Sequence, residues 1–176
     1  RELERPVKEF ADKHLNSMPT LAEATSLLPG LRALHEALGR ANADGVHLKQ
    51  RDYAWGILAA ACARIARADG LSCREEPGTF TKAVLLEASR HQEPAHDPRY
   101  DAQFDEHPSW GSPAARIEAA EGLITLARHT DWATSDVLMA VEELSSDPVP
   151  AVRYQIAARL NALYHTAPDL MWRIIE

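Results

Sequence analysis

Asp147-Pro-Val-Pro-Ala-Val-Arg153 sets how this chain folds. Asp147 can accept backbone N–H bonds, Pro148 fixes one φ, and Pro150 is tolerated in the first turn of a helix, so the seven residues read as a tight corner followed by a helix start. The spacing predicts a helix over about 150–164. Val152, Ile156, Leu160 and Leu163 recur at intervals of four, four and three, which lays one apolar stripe along it, with Ala157 beside them to let a second helix approach. Arg153, Gln155 and Arg159 fall off that stripe. Leu160→Ala is therefore expected to open a core cavity, and Arg159→Ala to leave stability almost unchanged.

A second copy stands upstream. Pro113-Ala-Ala-Arg-Ile-Glu-Ala-Ala-Glu-Gly-Leu-Ile-Thr-Leu aligns with the stretch from Pro150 to Leu163 at a constant offset of 37 residues, sharing proline, the first alanine, arginine, a later alanine and both leucines. The partner helix repeats as well, Asp136-Val-Leu-Met-Ala-Val-Glu-Glu against Asp169-Leu-Met-Trp-Arg-Ile-Ile-Glu, at an offset of 33. A looser third match pairs 54–67 with 115–128, sharing Ala59, Ala66 and Arg67, with Ile65 opposite Leu126. One helical hairpin cannot bury its own apolar face, so recurrence at this period is the mark of a stacked array.

Asp147, with Val152 five places on and Arg153 at the sixth, resembles the turn of a HEAT repeat. The resemblance covers residues 113–176 well and the rest loosely. It implies an all-α fold, a right-handed α-solenoid of antiparallel helical hairpins with about 8 helices, in which Asp and Arg at these positions link neighbouring units. By that resemblance Asp147, Pro150, Val152, Arg153 and Arg116 are repeat-ladder or structural residues. Trp110 stands where the upstream copy should match Asp147, so the upstream turn departs from the pattern at that position.

Composition bounds the function. The 176 residues are 45% hydrophobic, and the longest clearly apolar stretch, 56–63, is too short to span a bilayer. Arg1 is no initiator methionine and no secretory leader is visible, so the chain is expected to be a cytoplasmic piece of a longer multidomain protein, and its Ala, Leu, Arg and Asp bias suggests a bacterial one. Cys62 and Cys73 are too few for a disulfide scaffold or a cysteine zinc site; Cys62 reads as a small buried hydrophobe. Residues 1–92 carry 13 basic and 12 acidic side chains and residues 93–176 carry 6 and 14, so the net charge of −7 sits in the second half. Such a field disfavours nonspecific nucleic-acid binding, although a local groove of Arg116, Arg153 and Arg159 would escape it.

Three regions follow: N-terminal helical hairpins over 1–92, an irregular acidic His- and Pro-rich insertion over 93–112, and HEAT-like repeats over 113–176. Helices are expected near 3–16, up to 41 with a break or kink at Pro29-Gly30, 48–68 stopped by Gly70, 77–91, 113–129, 134–145, 150–164 and 168–176, with Thr20 an N-cap and no strand anywhere.

The insertion holds the one cluster that looks like chemistry. His91, His96, Asp97, Asp101, Asp105, Glu106 and His107 are potential metal ligands, but their spacing fits no metal motif and an acidic solvated loop is the plainer reading; no cofactor is expected. Tyr100, Phe104 and Trp110 there are candidate anchors for a protein partner, or else cover the solenoid. His129 and His165 read as cations at helix ends, Trp55 and Trp172 as core, and Trp132 as a staple at a helix start. No Gly-rich phosphate loop, nucleophile elbow or zinc helix is present. The sequence thus points to a non-catalytic protein-interaction scaffold or spacer arm, with Arg159 as a further candidate partner-binding residue and a metal site or a nucleic-acid module as alternatives.

Overall fold

A computed structural model of the chain describes residues 2–44, 48–104, 106–108 and 111–176. Its α-helices are α1 (Glu4–Lys13), α2 (Leu21–Asp44), α3 (Leu48–Ile65), α4 (Gly78–Ala88), α5 (Ala115–Leu126), α6 (Ser135–Ser145), α7 (Pro150–Ala157) and α8 (Pro168–Ile175), with 3₁₀ segments at Pro98–Phe104 and Leu160–Leu163 and no strand among the described residues. No helix there is long and apolar enough to cross a membrane.

The helices pack in a regular order. Each of α1 to α6 contacts the next in sequence, and α1 contacts α3, α3 contacts α5, α5 contacts α7, α4 contacts α6 and α6 contacts α8. Odd-numbered helices thus form one row and α4, α6 and α8 another. The buried side chains make one continuous cluster from Val7 to Met171, so the insertion interrupts the chain without interrupting the core.

The centre of that core is the α3–α5 contact, and small residues make it possible. Ala59, Ala63, Ala115 and Ala119 are completely buried. A Cβ on Gly56 would lie 2.4 Å from the Pro113 carbonyl oxygen, and one on Gly122 would lie 3.2 Å from the Ala63 Cα, so neither position has room for a side chain. Leu58, Ile65, Ile117, Leu123, Ile124 and Leu126 then fill the flanks, each fully or almost fully buried. Each such side chain contributes ~1.5–3 kcal/mol by leaving water.

Local signals set the ends of several helices. Thr20 caps α2 in a reciprocal box: Glu23 N–H donates to Thr20 Oγ1 (3.2 Å) and Thr20 N–H donates to Glu23 Oε2 (2.9 Å). Past α3, Gly70 takes φ +76°, a conformation that β-carbon-bearing residues avoid, and the chain turns. Pro150 occupies the first turn of α7, while Asp147 Oδ1 accepts the Val149 N–H at 2.8 Å and closes the corner before it.

Four expectations are corrected. Helix α2 runs through Pro29-Gly30 without a break. The missing proline N–H and ring clash cost ~3 kcal/mol, but Leu31, Leu34 and Leu38 are buried beyond them, and their burial outweighs that cost. The expected 150–164 helix ends at Ala157: Arg159 leaves helical geometry at φ −125°, and the chain resumes as a 3₁₀ turn. Within α7, Gln155 is buried and Ala157 exposed, and past the break Leu160 is only partly buried. The insertion is not wholly irregular, since Asp97 Oδ1 accepts the Arg99 N–H (3.1 Å) and starts the 3₁₀ segment that Pro98 opens. Trp172 is 56% exposed rather than core, whereas Trp55 is buried as expected, and Trp132 is buried as well.

Candidate functional site

Two buried polar constructions tie the helices together, and the first is the corner before α7. Arg116, in the first turn of α5, donates from Nε to Asp147 Oδ2 (2.7 Å) and from Nη2 to Asp147 Oδ1 (3.2 Å). Its remaining donors reach the carbonyls of His91, Gln92 and Pro94, each at 2.8 Å. One guanidinium thereby pins the chain leaving α4, the start of α5 and the turn into α7. Arg153, 37 residues further on, donates to the carbonyls of Asp147 (2.5 Å) and Pro148 (3.0 Å). Val152 is fully buried beneath this corner.

The second is a buried charge cluster between α3 and α5. Glu121 Oε2 accepts from Arg64 Nη1 (2.8 Å), and Glu121 Oε1 accepts from both Arg67 and Arg159, the latter at 3.1 Å. Burial alone would raise the Glu121 pKa, but the three guanidiniums together hold it below the ordinary glutamate value. Glu118, one turn earlier, is 2% exposed. Its Oε1 accepts the Ser112 hydroxyl at 2.5 Å and its Oε2 has no hydrogen-bond partner, so burial raises its pKa despite Ser112 and Arg64.

Arg67 and Arg159 also reach outward into a cleft of about 860 Å³. Its walls are the turn after α3 and the turn after α5, which bring Arg74 and Arg128 to the same opening. Both of these are exposed, and neither guanidinium makes a hydrogen bond or ion pair among the described residues. Asp69 and Asp131 offset part of the charge, and Met18 and Leu71 give the cleft an apolar side. The indole in its wall, Trp132, is 3% exposed and packs against Gly78 of α4. A volume of this size suits a compact ligand or a short chain segment, and four guanidiniums suit a ligand that carries oxyanions.

The residues expected in a common arginine groove separate. Arg116 and Arg153 serve the corner before α7, and Arg159 alone faces the cleft. It is also not a free surface charge, because it binds Glu121 and, from Nη1, Gln155 Oε1 at 2.9 Å. The potential metal ligands separate likewise. His91 Nδ1 accepts the Glu93 N–H and its ring packs on Trp55, His96 faces Asp101 at 3.4 Å, and Asp97 holds Arg99. His107 bonds through its backbone N–H to the Gln103 carbonyl. Among the described residues no three His, Cys, Asp or Glu side chains gather around a common point, with Asp105 outside them. Tyr100 is 48% exposed, Phe104 packs partly against the core, and Trp110 lies outside the described residues.

The sequence marked Arg67 only as a shared position of the 54–67 match and gave no role to Arg74 or Arg128. A signal was present: the 54–67 and 115–128 match sets Arg67 opposite Arg128, and both equivalent helix ends deliver an arginine to the cleft. The chain matches no protein-family model, no curated protein and no solved structure.

Proposed function

We propose that the chain is a right-handed HEAT-like α-solenoid that acts as a non-catalytic protein-interaction scaffold, the recognition or spacer arm of a larger cytoplasmic protein. The packing order supports this reading most. Helices that meet their neighbours one and two places along the chain are what stacked hairpins require. The Arg116–Asp147 bond, between positions related through the 37-residue repeat and its preceding turn, is the kind of rung such an array uses. The binding surface lies at the turns that end α3 and α5, where an open cleft is bounded by rigid helices.

Reconstitution tests this reading. Proteins captured from lysate of the source organism are purified separately and remixed with this chain, and mass is measured by light scattering. A complex of fixed stoichiometry formed from the two purified components supports the scaffold reading. If no captured protein re-forms a complex when purified, the reading fails.

A further inference from the structure

We propose that the cleft between the turns after α3 and α5 binds a short acidic peptide segment of a protein partner, with Arg74 and Arg128 as the residues that select it. This rests on the scaffold reading and names the chemistry of the partner.

Within a chain of net charge −7, many exposed cations are already committed to carboxylates. Arg5 bonds Glu9, Lys8 bonds Asp12, Lys13 bonds Glu23 and Arg99 bonds Asp97. Arg74 and Arg128 differ, since both are exposed, neither has a side-chain partner among the described residues, and both border one cavity. Behind them Arg67 and Arg159 are fixed by Glu121, and Arg67 Nη1 also donates to the Leu15 carbonyl at 3.0 Å. Two guanidiniums are thus locked in place while two remain open to a ligand. A guanidinium forks onto a carboxylate with two parallel bonds, and clusters of them are a recurrent way to read acidic motifs.

Three features favour a peptide over other anions. Met18, 54% exposed, and Leu71 both line the cleft, so the site offers apolar contact that a free phosphate has no means to use. The buried Trp132 gives no stacking platform for a nucleic-acid base. Residues 93–176 carry 14 acidic side chains against 6 basic ones, a field that repels a long polyanion while a short segment reaches only the local arginines.

The test measures fluorescence anisotropy of a fluorescein-labelled peptide alternating Glu-Glu with Leu, titrated with the full chain at low salt. Competitors are inorganic phosphate and a short DNA duplex. Arg74→Glu/Arg128→Glu is compared with Arg40→Glu/Arg90→Glu, which makes the same charge change at exposed residues that do not line the cleft. Thermal melts establish that both variants fold. The expected result is binding that weakens at least about tenfold in the cleft variant, stays within about twofold in the control, and is displaced only weakly by phosphate or duplex. Equal weakening in both variants, no binding of the peptide, or duplex binding in its place overturns the proposal. If the reconstituted partner binds the cleft variant as well as the native chain, the scaffold reading stands and the cleft assignment falls.

Discussion

Arg116 and Asp147 lie 31 residues apart in sequence and are joined by two side-chain hydrogen bonds, one of them 2.7 Å long. The pair is largely buried, and each partner also serves elsewhere, since Arg116 holds three carbonyls of the chain leaving α4 and Asp147 caps the turn into α7. Removing either strands polar groups on the other side. Arg116→Ala and Asp147→Ala should each cost about 2–4 kcal/mol in urea unfolding, with a double mutant well short of the sum. Arg116→Lys should not rescue, because an ammonium cannot reach the carboxylate and three carbonyls with one planar fork.

Glu118 and Glu121 should respond to pH in opposite senses. The folded-state pKa of Glu118 is raised, so its contribution is fully present below the ordinary glutamate range and is lost as pH rises through the raised value. Glu118→Gln stays neutral and should gain stability relative to the native chain as pH climbs. The Glu121 pKa is lowered, so its contribution is present above the ordinary range and lost as pH falls through the lowered value. Glu121→Gln should cost about 3 kcal/mol at neutral pH, with the deficit shrinking in acid. Urea melts across the pH range read both slopes.

Core truncations should follow burial along 150–163 rather than the simple helical stripe. Ile156 is completely buried and Leu160 only partly so. Ile156→Ala should therefore cost about 2–5 kcal/mol and Leu160→Ala clearly less. Arg159→Ala should also be measurable, since it removes a partner of Glu121 and Gln155. Equal losses at Ile156 and Leu160 would be incompatible with the break after Ala157.

Glycines divide into two groups. A Cβ at Gly39 meets nothing within 4 Å, so Gly39→Ala should stabilise α2 by roughly 0.5–1 kcal/mol. A Cβ at Gly56 runs into the Pro113 backbone, and Gly56→Ala should lose about 1–3 kcal/mol by forcing α3 and α5 apart. Thermal melts of the two variants should shift in opposite directions.

Helix-scale structure was legible because it is carried by local chemistry. The Pro150 start and the Thr20 cap both act within one turn of the chain, whereas α3 ends at Ile65, ahead of the turn at Gly70. The break after Ala157 was not legible, because a four-four-three apolar spacing continues through it and the guanidinium that marks the break bonds to Glu121, 38 residues away. Continuity of α2 through Pro29 likewise depends on leucines buried by other helices. At the candidate site, Arg159 stood out but its neighbours did not. The match that pairs Arg67 with Arg128 was legible, but it does not extend to Arg74, and only the fold brings all of them to one opening.

If this chain holds a protein partner through the cleft beside α3 and α5, the two turns that wall the cleft must be shielded in the complex. Hydrogen exchange of the reconstituted complex, compared with the free chain, reads that shielding segment by segment. Slowed exchange is expected over 66–74 and 125–132, with the corner at Asp147 unchanged. A complex that protects neither segment would place the partner elsewhere and overturn the assignment.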